Sequence, residues 1–396
     1  MNQTLSTATS RITSIDLLRG LVMILMALDH VRDYFHDDGF LFDPTDIDQT
    51  YPTLFFTRFI THYCAPVFVF LAGTSAFFVG QRKGKGDLSI WLIKRGVWLV
   101  ILEITVVRFA WFFQLNFKEV DLMVIWVLGL CMIALAGLIH IPKKIIILIC
   151  LIVIFGHNLT DGLQFSNTLM NNLWIFLHVF DTIAITNHNV IFIDYPLIPW
   201  VFVMPLGYYL GELYLPDFAP PKRQKALKLI GFSLVLLFIV IRLLNFYGDS
   251  YKWSEQESLI FTIMSFLNVS KYPPSLLYLL ITLGPAILFL AYTEKWKGAI
   301  AQRIIILGRV AMFYYLIHLY IIHLSALLAA YLTGFDPSLL LLDEWISYVP
   351  ELKGYGFDLW VVYLVWMILI VGLYPICKWY NNYKSNHRQK WWLSYL

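Results

Sequence analysis

The chain has 396 residues, of which 59% are hydrophobic and 14% are charged, and its formal net charge is +3. Because soluble proteins carry about a quarter charged residues, this composition excludes an ordinary soluble enzyme. Several stretches approach or exceed the ~20 apolar residues that cross a bilayer. The sequence therefore predicts an all-α, polytopic integral membrane protein whose residues 1–396 form a single transmembrane domain. We expect the lipid bilayer, and no nucleic acid, among its partners.

Ten apolar stretches predict membrane-spanning helices. Their approximate cores, in chain order, are 15–33, 55–79, 88–113, 121–140, 145–159, 197–214, 226–246, 274–293, 304–332 and 359–380. A further apolar stretch, 173–185, is too short to cross and predicts an interfacial or re-entrant segment, or an eleventh element. Lys and Arg gather in alternate connections, which predicts that both termini are cytoplasmic. The compact connections favour a bacterial inner membrane.

The first predicted helix carries a stripe of ionisable residues. Arg19 and His30 are eleven residues apart, which is about three helical turns and roughly 16 Å of rise. They therefore share a face, with Asp16 and Asp33 close to the same stripe. Ionisable groups inside a membrane helix cost on the order of 3 kcal/mol each, so a functional role is their default interpretation. The alternative is that these groups lie at the two membrane interfaces.

Other predicted helices bring polar side chains to the level of His30 on the outer side. These side chains are Arg58, His62, Lys271, Tyr272 and His318. Arg58 and His62 are four residues apart and share a helix face. We predict that this group binds the acceptor substrate. For each member the alternative is a structural hydrogen bond between helices.

His30 is the predicted catalytic base, because a neutral imidazole can take a proton from a hydroxyl or an amine near neutral pH. Asp33 is placed to orient the ring, and neighbouring cations can stabilise an oxyanion. On the cytoplasmic side, Arg19 and Arg309 lie inside helical segments and predict contacts with the phosphates of a nucleotide-like donor. The four cysteines have unrelated spacings and no histidine pair lies at i, i+4, so no metal site is predicted.

Arg19, ten intervening residues and His30 match a pattern on the first membrane helix of acyltransferase family 3 proteins, where the histidine is regarded as catalytic. More of the chain resembles the heparan-α-glucosaminide N-acetyltransferase family and its bacterial relatives. The matching stretches, in order, are Ser14–Leu21, Pro66–Ser75, Tyr195–Gly207 and Gly308–His318. In the lysosomal enzyme of this family an Asn replaces His30 and the key histidine lies in the following loop. His36 is therefore a second candidate base here, and His30 is favoured.

The resemblance implies acyl transfer across the bilayer. Acetyl-CoA would bind from the cytoplasm as acyl donor, and a sugar or glycan outside, most simply an amino sugar, would accept the acetyl group. Such a protein can also form a homodimer. The competing hypothesis is a transporter of a small sugar or carboxylate that uses the same buried charges. The sequence shows no clear repeat or broken helix of the kind typical of transporters.

Overall fold

The computed structural model describes residues 12–395. It is mainly helical, which confirms the predicted all-α membrane protein. Within the described residues, six helical stretches are long and apolar enough to cross a membrane: Pro52–Gly80, Lys143–Thr160, Pro220–Leu244, Leu276–Thr293, Ala311–Thr333 and Leu359–Asn386. Ten spans and cytoplasmic termini stay predictions. The two terminal residues themselves, Met1 and Leu396, lie outside the described residues.

A helix lies within each of the ten apolar stretches that were predicted to span the membrane. In chain order the helices are α1 (Thr13–Phe35), α2 (Pro52–Thr61), α3 (Cys64–Gly80), α4 (Lys85–Leu102), α5 (Arg108–Phe112), α6 (Val124–Leu138), α7 (Lys143–Gly156), α8 (Thr168–His178), α9 (Trp200–Leu210), α10 (Pro220–Leu244), α11 (Leu259–Leu267), α12 (Leu276–Thr293), α13 (Ala299–Arg309), α14 (Ala311–Thr333) and α15 (Leu359–Asn386). The central helix is α1, which packs against α2, α3 and α12 to α15.

Three of the predicted helices are interrupted, which the sequence analysis missed. The helical structure is interrupted at His62, between α2 and α3, and at Val310, between α13 and α14. A π-helical turn, Glu103–Val107, joins α4 to α5. Turns of this kind are frequent at functional sites. Glu103 Oε2 accepts a hydrogen bond of 2.9 Å from the backbone N–H of Trp126. The buried carboxyl thus serves an otherwise unsatisfied donor in the first turn of α6.

A three-stranded sheet, absent from the prediction, lies among the connections. Its strands are β1 (Glu119–Asp121), β2 (Asp181–Ala184) and β3 (Val190–Ile193), in the order β1-β3-β2. β1 runs parallel to β3, with Glu119 opposite Val190, and β2 runs antiparallel to β3. The apolar stretch 173–185 is divided between the end of α8 and β2 rather than forming one segment. The sheet fixes Asp121, at the end of β1, near the residues that follow β3.

Glycines set several helix crossings. A Cβ added at Gly308 would lie 1.9 Å from the carbonyl oxygen of Asp16, and one at Gly20 would lie 2.0 Å from that of Ile304, so the backbones of α1 and α13 touch. Small residues permit such close approach between membrane helices. Gly73 and Gly207 lie at a similar crossing of α3 with α9, Gly96 and Gly129 at one of α4 with α6, and Gly231 and Gly284 at one of α10 with α12.

Candidate active site

A cavity of about 940 Å³ lies at the C-terminal end of α1. Its wall combines α1, α2, the residues after β1 and β3, and the segment before α12. Six of the ten predicted site residues line it: His30, Asp33, Arg58, His62, Lys271 and Tyr272. The structure therefore brings together residues that are up to 242 positions apart in the sequence. They meet beside His30, as the helix positions predicted.

His30 forms a pair with His318, which was predicted to bind substrate but is fully buried behind the cavity wall. His30 Nδ1 is 2.8 Å from His318 Nε2, and His318 Nδ1 donates to the carbonyl oxygen of Tyr314 at 3.0 Å. When both rings are neutral, His318 Nε2 must then accept, and His30 Nδ1 must donate. This tautomer follows from the hydrogen-bond network. It leaves the lone pair of His30 on Nε2.

The nitrogen of His30 that is left with a lone pair, Nε2, lies on the cavity side of the ring. His30 lines the cavity while its Nδ1 faces His318, and no other described residue forms a hydrogen bond to Nε2. Trp111 and Tyr315 flank the ring edge-on, with centroids 4.8 Å and 6.3 Å away. Both aromatic residues also line the cavity and were missed by the sequence analysis. An imidazole held in one tautomer, with an open acceptor, is equipped to take a proton.

Asp33 does not orient His30, contrary to the prediction. Its Oδ1 accepts a hydrogen bond of 2.6 Å from Arg32. Asp29, which was not among the predicted site residues, is the centre of the charged cluster: its carboxylate is 2.5 Å from Arg58, 3.0 Å from Arg32 and 3.8 Å from Lys271. The i, i+3 spacing of Asp29 and Arg32 was a readable signal. The cluster holds three cations against two carboxylates, so it carries net positive charge beside the imidazole.

The opposite part of the wall is acidic. Asp121 and Asp194 both line the cavity, and each has one buried carboxylate oxygen without a hydrogen-bond partner among the described residues. Burial raises the pKa of both carboxyls well above its usual range, and repulsion from neighbouring carboxylates adds to the effect. Neither was predicted, because short strands leave little periodic signal. This wall can accept hydrogen bonds from hydroxyl or amino groups of a ligand.

Two predicted ligands occupy distinct parts of the wall. His62 lies at the break between α2 and α3, where its backbone oxygen accepts a hydrogen bond of 2.9 Å from Tyr278. The ammonium of Lys271 lies 4.9 Å from the centroid of the Tyr272 ring, within cation–π range. Phe180 stacks on the same ring at 5.1 Å. Aromatic and cationic side chains thus meet on this part of the cavity wall.

His36, the second candidate base, lies outside the cavity. Its ring is fully buried, and Nε2 is 3.1 Å from the hydroxyl of Tyr51. The residue forms an isolated β-bridge with Phe357. These contacts are those of a residue that fastens the end of α1.

The predicted donor residues also meet, at the other end of α1. Arg19 Nη1 and Arg309 Nε are each 3.3 Å from the carboxylate of Asp16. Arg19 also donates to Ser75 Oγ at 2.8 Å. The side chains of Arg19 and Arg309 remain 19% and 29% exposed. They are arranged around the α1–α13 crossing at Gly308, to whose oxygen Arg19 donates at 3.4 Å.

Together the fold and the cavity define an integral membrane protein with a polar pocket built around paired imidazoles. The family model described as heparan-alpha-glucosaminide N-acetyltransferase, catalytic, matches residues 11–248, which is more than half of the chain. The chain belongs to this family, and the resemblance recognised in the sequence is confirmed. The family is one of acetyltransferases. No curated protein matches the chain.

The matched residues include much of the cavity but not all of it. His30, Arg58 and His62 lie within residues 11–248, as do Asp121 and Asp194. Four other predicted site residues lie beyond this range: Lys271 and Tyr272 in the segment before α12, Arg309 in α13 and His318 in α14. The His30–His318 pair therefore joins a residue inside the matched region to one outside it.

Proposed function

We propose that this protein transfers an acetyl group from acetyl-CoA to a sugar, with an amino sugar as the best-fitting acceptor. The observation that supports this most is the His30–His318 pair, which leaves one imidazole nitrogen open to a polar cavity. The family membership supplies the reaction class. A base is needed because the attacking amine or hydroxyl must lose a proton as it forms the new bond.

The transfer step uses His30 as general base and then as general acid. The acceptor nitrogen or oxygen attacks the thioester carbonyl while His30 Nε2 takes its proton, and an oxyanion forms on the carbonyl oxygen. The oxyanion then collapses, the carbon–sulfur bond breaks, and the leaving thiolate takes the proton from Nε2. Throughout, His30 Nδ1–H stays bonded to His318, which holds the ring as the carbonyl of Tyr314 holds His318.

The two walls suit different parts of the substrates. Arg58 and Lys271 provide positive charge that can stabilise the oxyanion, with Asp29 keeping them in position. Asp121 and Asp194 can accept hydrogen bonds from the hydroxyl or amino groups of the sugar. A sugar needs many such partners and little apolar surface. The mixed charge of the cavity supports a carbohydrate better than an apolar acceptor.

The donor end of the proposal rests on Arg19 and Arg309. Their guanidinium groups are partly exposed, lie together, and can bind the phosphates of CoA. His30 is about three turns further along the same helix, roughly 16 Å away. The thioester would have to cover this distance to reach the cavity.

The direction of the helices supports a cavity on the extracytoplasmic side. Helices α3, α10 and α12 each have one end near the cavity and basic residues at the other. These basic residues are Arg82 and Lys83 after α3, Lys222 and Arg223 in α10, and Lys295 and Lys297 after α12. Because Lys and Arg favour the cytoplasmic side, we place the cavity outside, in a bacterial inner membrane crossed by ten helical segments.

The test is acetyl transfer from labelled acetyl-CoA to glucosamine and related sugars by purified protein in lipid vesicles. His30→Ala should reduce kcat/KM by about 10²–10⁴-fold, the usual contribution of a general base. His36→Ala and His188→Ala are the comparison variants, and both should retain most of the activity. Loss of activity in His36→Ala, with activity intact in His30→Ala, would move the base to the loop.

A separate measurement addresses His318. His318→Gln keeps a hydrogen-bond acceptor for His30, whereas His318→Leu removes it. We expect His318→Gln to retain more activity, and His318→Leu to shift the pH profile of kcat because the His30 tautomer is no longer fixed. Solute uptake into the vesicles, without any acetylated product, would instead support transport.

A further inference from the structure

A group of side chains that could ligate a metal ion lies outside the cavity, between the ends of α7 and α8. It consists of His157, Asp161 and His178, whose candidate ligand atoms all lie within 4.8 Å of one another. His178 Nε2 is 3.1 Å from Asp161 Oδ1. The two imidazole rings stand nearly perpendicular, with centroids 5.4 Å apart. His157 and Asp161 lie in the turn after α7, and His178 is the last residue of α8.

The histidines of this group lack the partners that buried imidazoles normally have. His157 is only 5% exposed, yet neither of its ring nitrogens has a hydrogen-bond partner among the described residues. His178 is 2% exposed, and its Nδ1 is equally without a partner there. Buried polar atoms without a partner are rare, and each calls for an explanation such as an ion. The unpartnered imidazole of His157 lies beside a carboxylate and a second imidazole. Together these three side chains are the kind of ligand set that binds a metal ion.

The chemistry of the donors selects the metal. Zn²⁺ binds His nitrogen and Asp oxygen at about 2.0–2.2 Å in tetrahedral geometry, which places ligand atoms roughly 3.3 Å apart. The 3.1 Å between His178 and Asp161 is close to this separation. Imidazole ligands suit Zn²⁺ and neighbouring transition metals, whereas Mg²⁺ and Ca²⁺ prefer oxygen. The side chain of Asp161 is 29% exposed, which gives solvent access for a water as fourth ligand.

We propose that His157, Asp161 and His178 form a binding site for one Zn²⁺ ion. Bound there, the ion links the end of α7 to the end of α8. It satisfies one ring nitrogen on each histidine and neutralises the carboxylate, so it removes part of the cost of burying them.

The ion would stabilise the acceptor-side wall of the cavity. Backbone N–H groups of Leu197 and Ile198 donate to α8 at Phe176 and Leu177, over 3.2 Å and 2.8 Å. Two residues past His178, Phe180 lines the cavity and stacks on Tyr272. A metal that holds α8 in place therefore holds this wall in place. The proposed role of the ion is to stabilise α8, and it does not depend on whether acetyl transfer is the reaction.

The experiment uses full-length protein without a histidine tag, purified in detergent without chelator. We expect about one zinc per chain by elemental analysis, and Co²⁺ added to the metal-free protein should give the visible bands of a tetrahedral site. Chelation should lower the melting temperature, and Zn²⁺, but not Mg²⁺, should restore it. Absence of zinc together with no Co²⁺ bands and no Zn²⁺-dependent melting shift would overturn the proposal.

Variants locate the ion. His157→Gln, Asp161→Asn and His178→Gln should each lose most of the bound metal, whereas His188→Gln, in the exposed connection between β2 and β3, should keep it. Equal metal content in His157→Gln and wild type would place the ion elsewhere and overturn the site. Asp161→Asn removes only a charge from a partly exposed residue, so it serves if a histidine variant fails to fold. The Co²⁺ titration of the wild-type protein tests the proposal without any variant.

Discussion

The two ends of α1 both carry ionisable side chains, but these side chains have different surroundings. At the C-terminal end, Asp29 and His30 line a cavity of about 940 Å³, and one imidazole nitrogen is left open. At the N-terminal end, Asp16 and Arg19 are held against α13, where a Cβ at Gly308 would lie 1.9 Å from a backbone oxygen. The same kind of charged stripe thus lines an open pocket at one end and a tight helix crossing at the other.

The largest effect on stability is expected at the cavity end. Asp29→Asn removes the carboxylate that pairs with Arg58, Arg32 and Lys271, and breaking a buried ion pair typically costs about 3–5 kcal/mol. Unfolding by denaturant in detergent measures this cost. Asp33→Asn is the matched control, because Arg32 is the one ion-pair partner of Asp33 among residues 12–395 and the Asp33 side chain is 20% exposed. Equal losses in the two variants would contradict the central role of Asp29.

The close contact between α1 and α13 at the N-terminal end of α1 can be tested with an added methyl group. Gly308→Ala places a Cβ against the carbonyl oxygen of Asp16, and such overpacking should cost about 1–3 kcal/mol. Gly372→Ala is the control in α15, since an added Cβ there meets nothing within 4 Å. It should be neutral or stabilising, by up to about 1 kcal/mol, because alanine favours helix. If both variants behave alike in thermal melts, the backbones of α1 and α13 are not in contact.

Binding of acetyl-CoA should show whether Arg19 contacts the donor or only supports the crossing of α1 with α13. Arg19→Gln should raise the KM for acetyl-CoA about tenfold, the equivalent of ~1.4 kcal/mol, and leave the KM for the acceptor unchanged. The control is Lys83→Gln in the exposed loop after α3, which should change neither constant. Parallel changes in both constants for Arg19→Gln would show that Arg19 supports the helix crossing and does not contact the donor.

The smallest expected effect concerns pH and the acidic wall. Burial, followed by repulsion from Glu103 and Glu119, raises the pKa of Asp194 well above its usual value. The folded carboxyl therefore binds its proton more tightly than the unfolded one, so stability is lost as the pH rises above about 4. Asp194→Asn should be more stable than wild type at pH 8, by about 1 kcal/mol, and the difference should vanish near pH 4. Asp48→Asn, at an exposed loop position, should show no such trend.

The sequence predicted much of the site because membrane depth can be counted along a helix. Arg58 and His62 reach the same cavity as His30 because their distance from the start of α2 can be counted, and Lys271 reaches it from the segment just before α12. What counting cannot supply is the rotation of one helix against another. For that reason Asp33 was assigned to His30, whereas the ring is held by His318.

Other features lay beyond the reach of periodicity. The sheet that carries Asp121 is made of strands of three and four residues, too short for an alternating pattern to stand out. The break at His62 has no glycine at the break itself, and the one at Val310 comes directly after Gly308 and Arg309, a pair that also occurs inside continuous helices. Tertiary contacts fix these features, and a linear pattern records only the local preferences of the chain.

The glycine contacts between helices have a consequence for motion. Where the backbones of α1 and α13 touch, a displacement of even a fraction of a turn drives a carbonyl oxygen into the neighbouring chain. Rocking and sliding of bundles, on which alternating-access machines depend, is costly in such an interlocked frame. Sliding of α1 against α13 is therefore disfavoured, and any change of access to the cavity would have to leave this crossing intact.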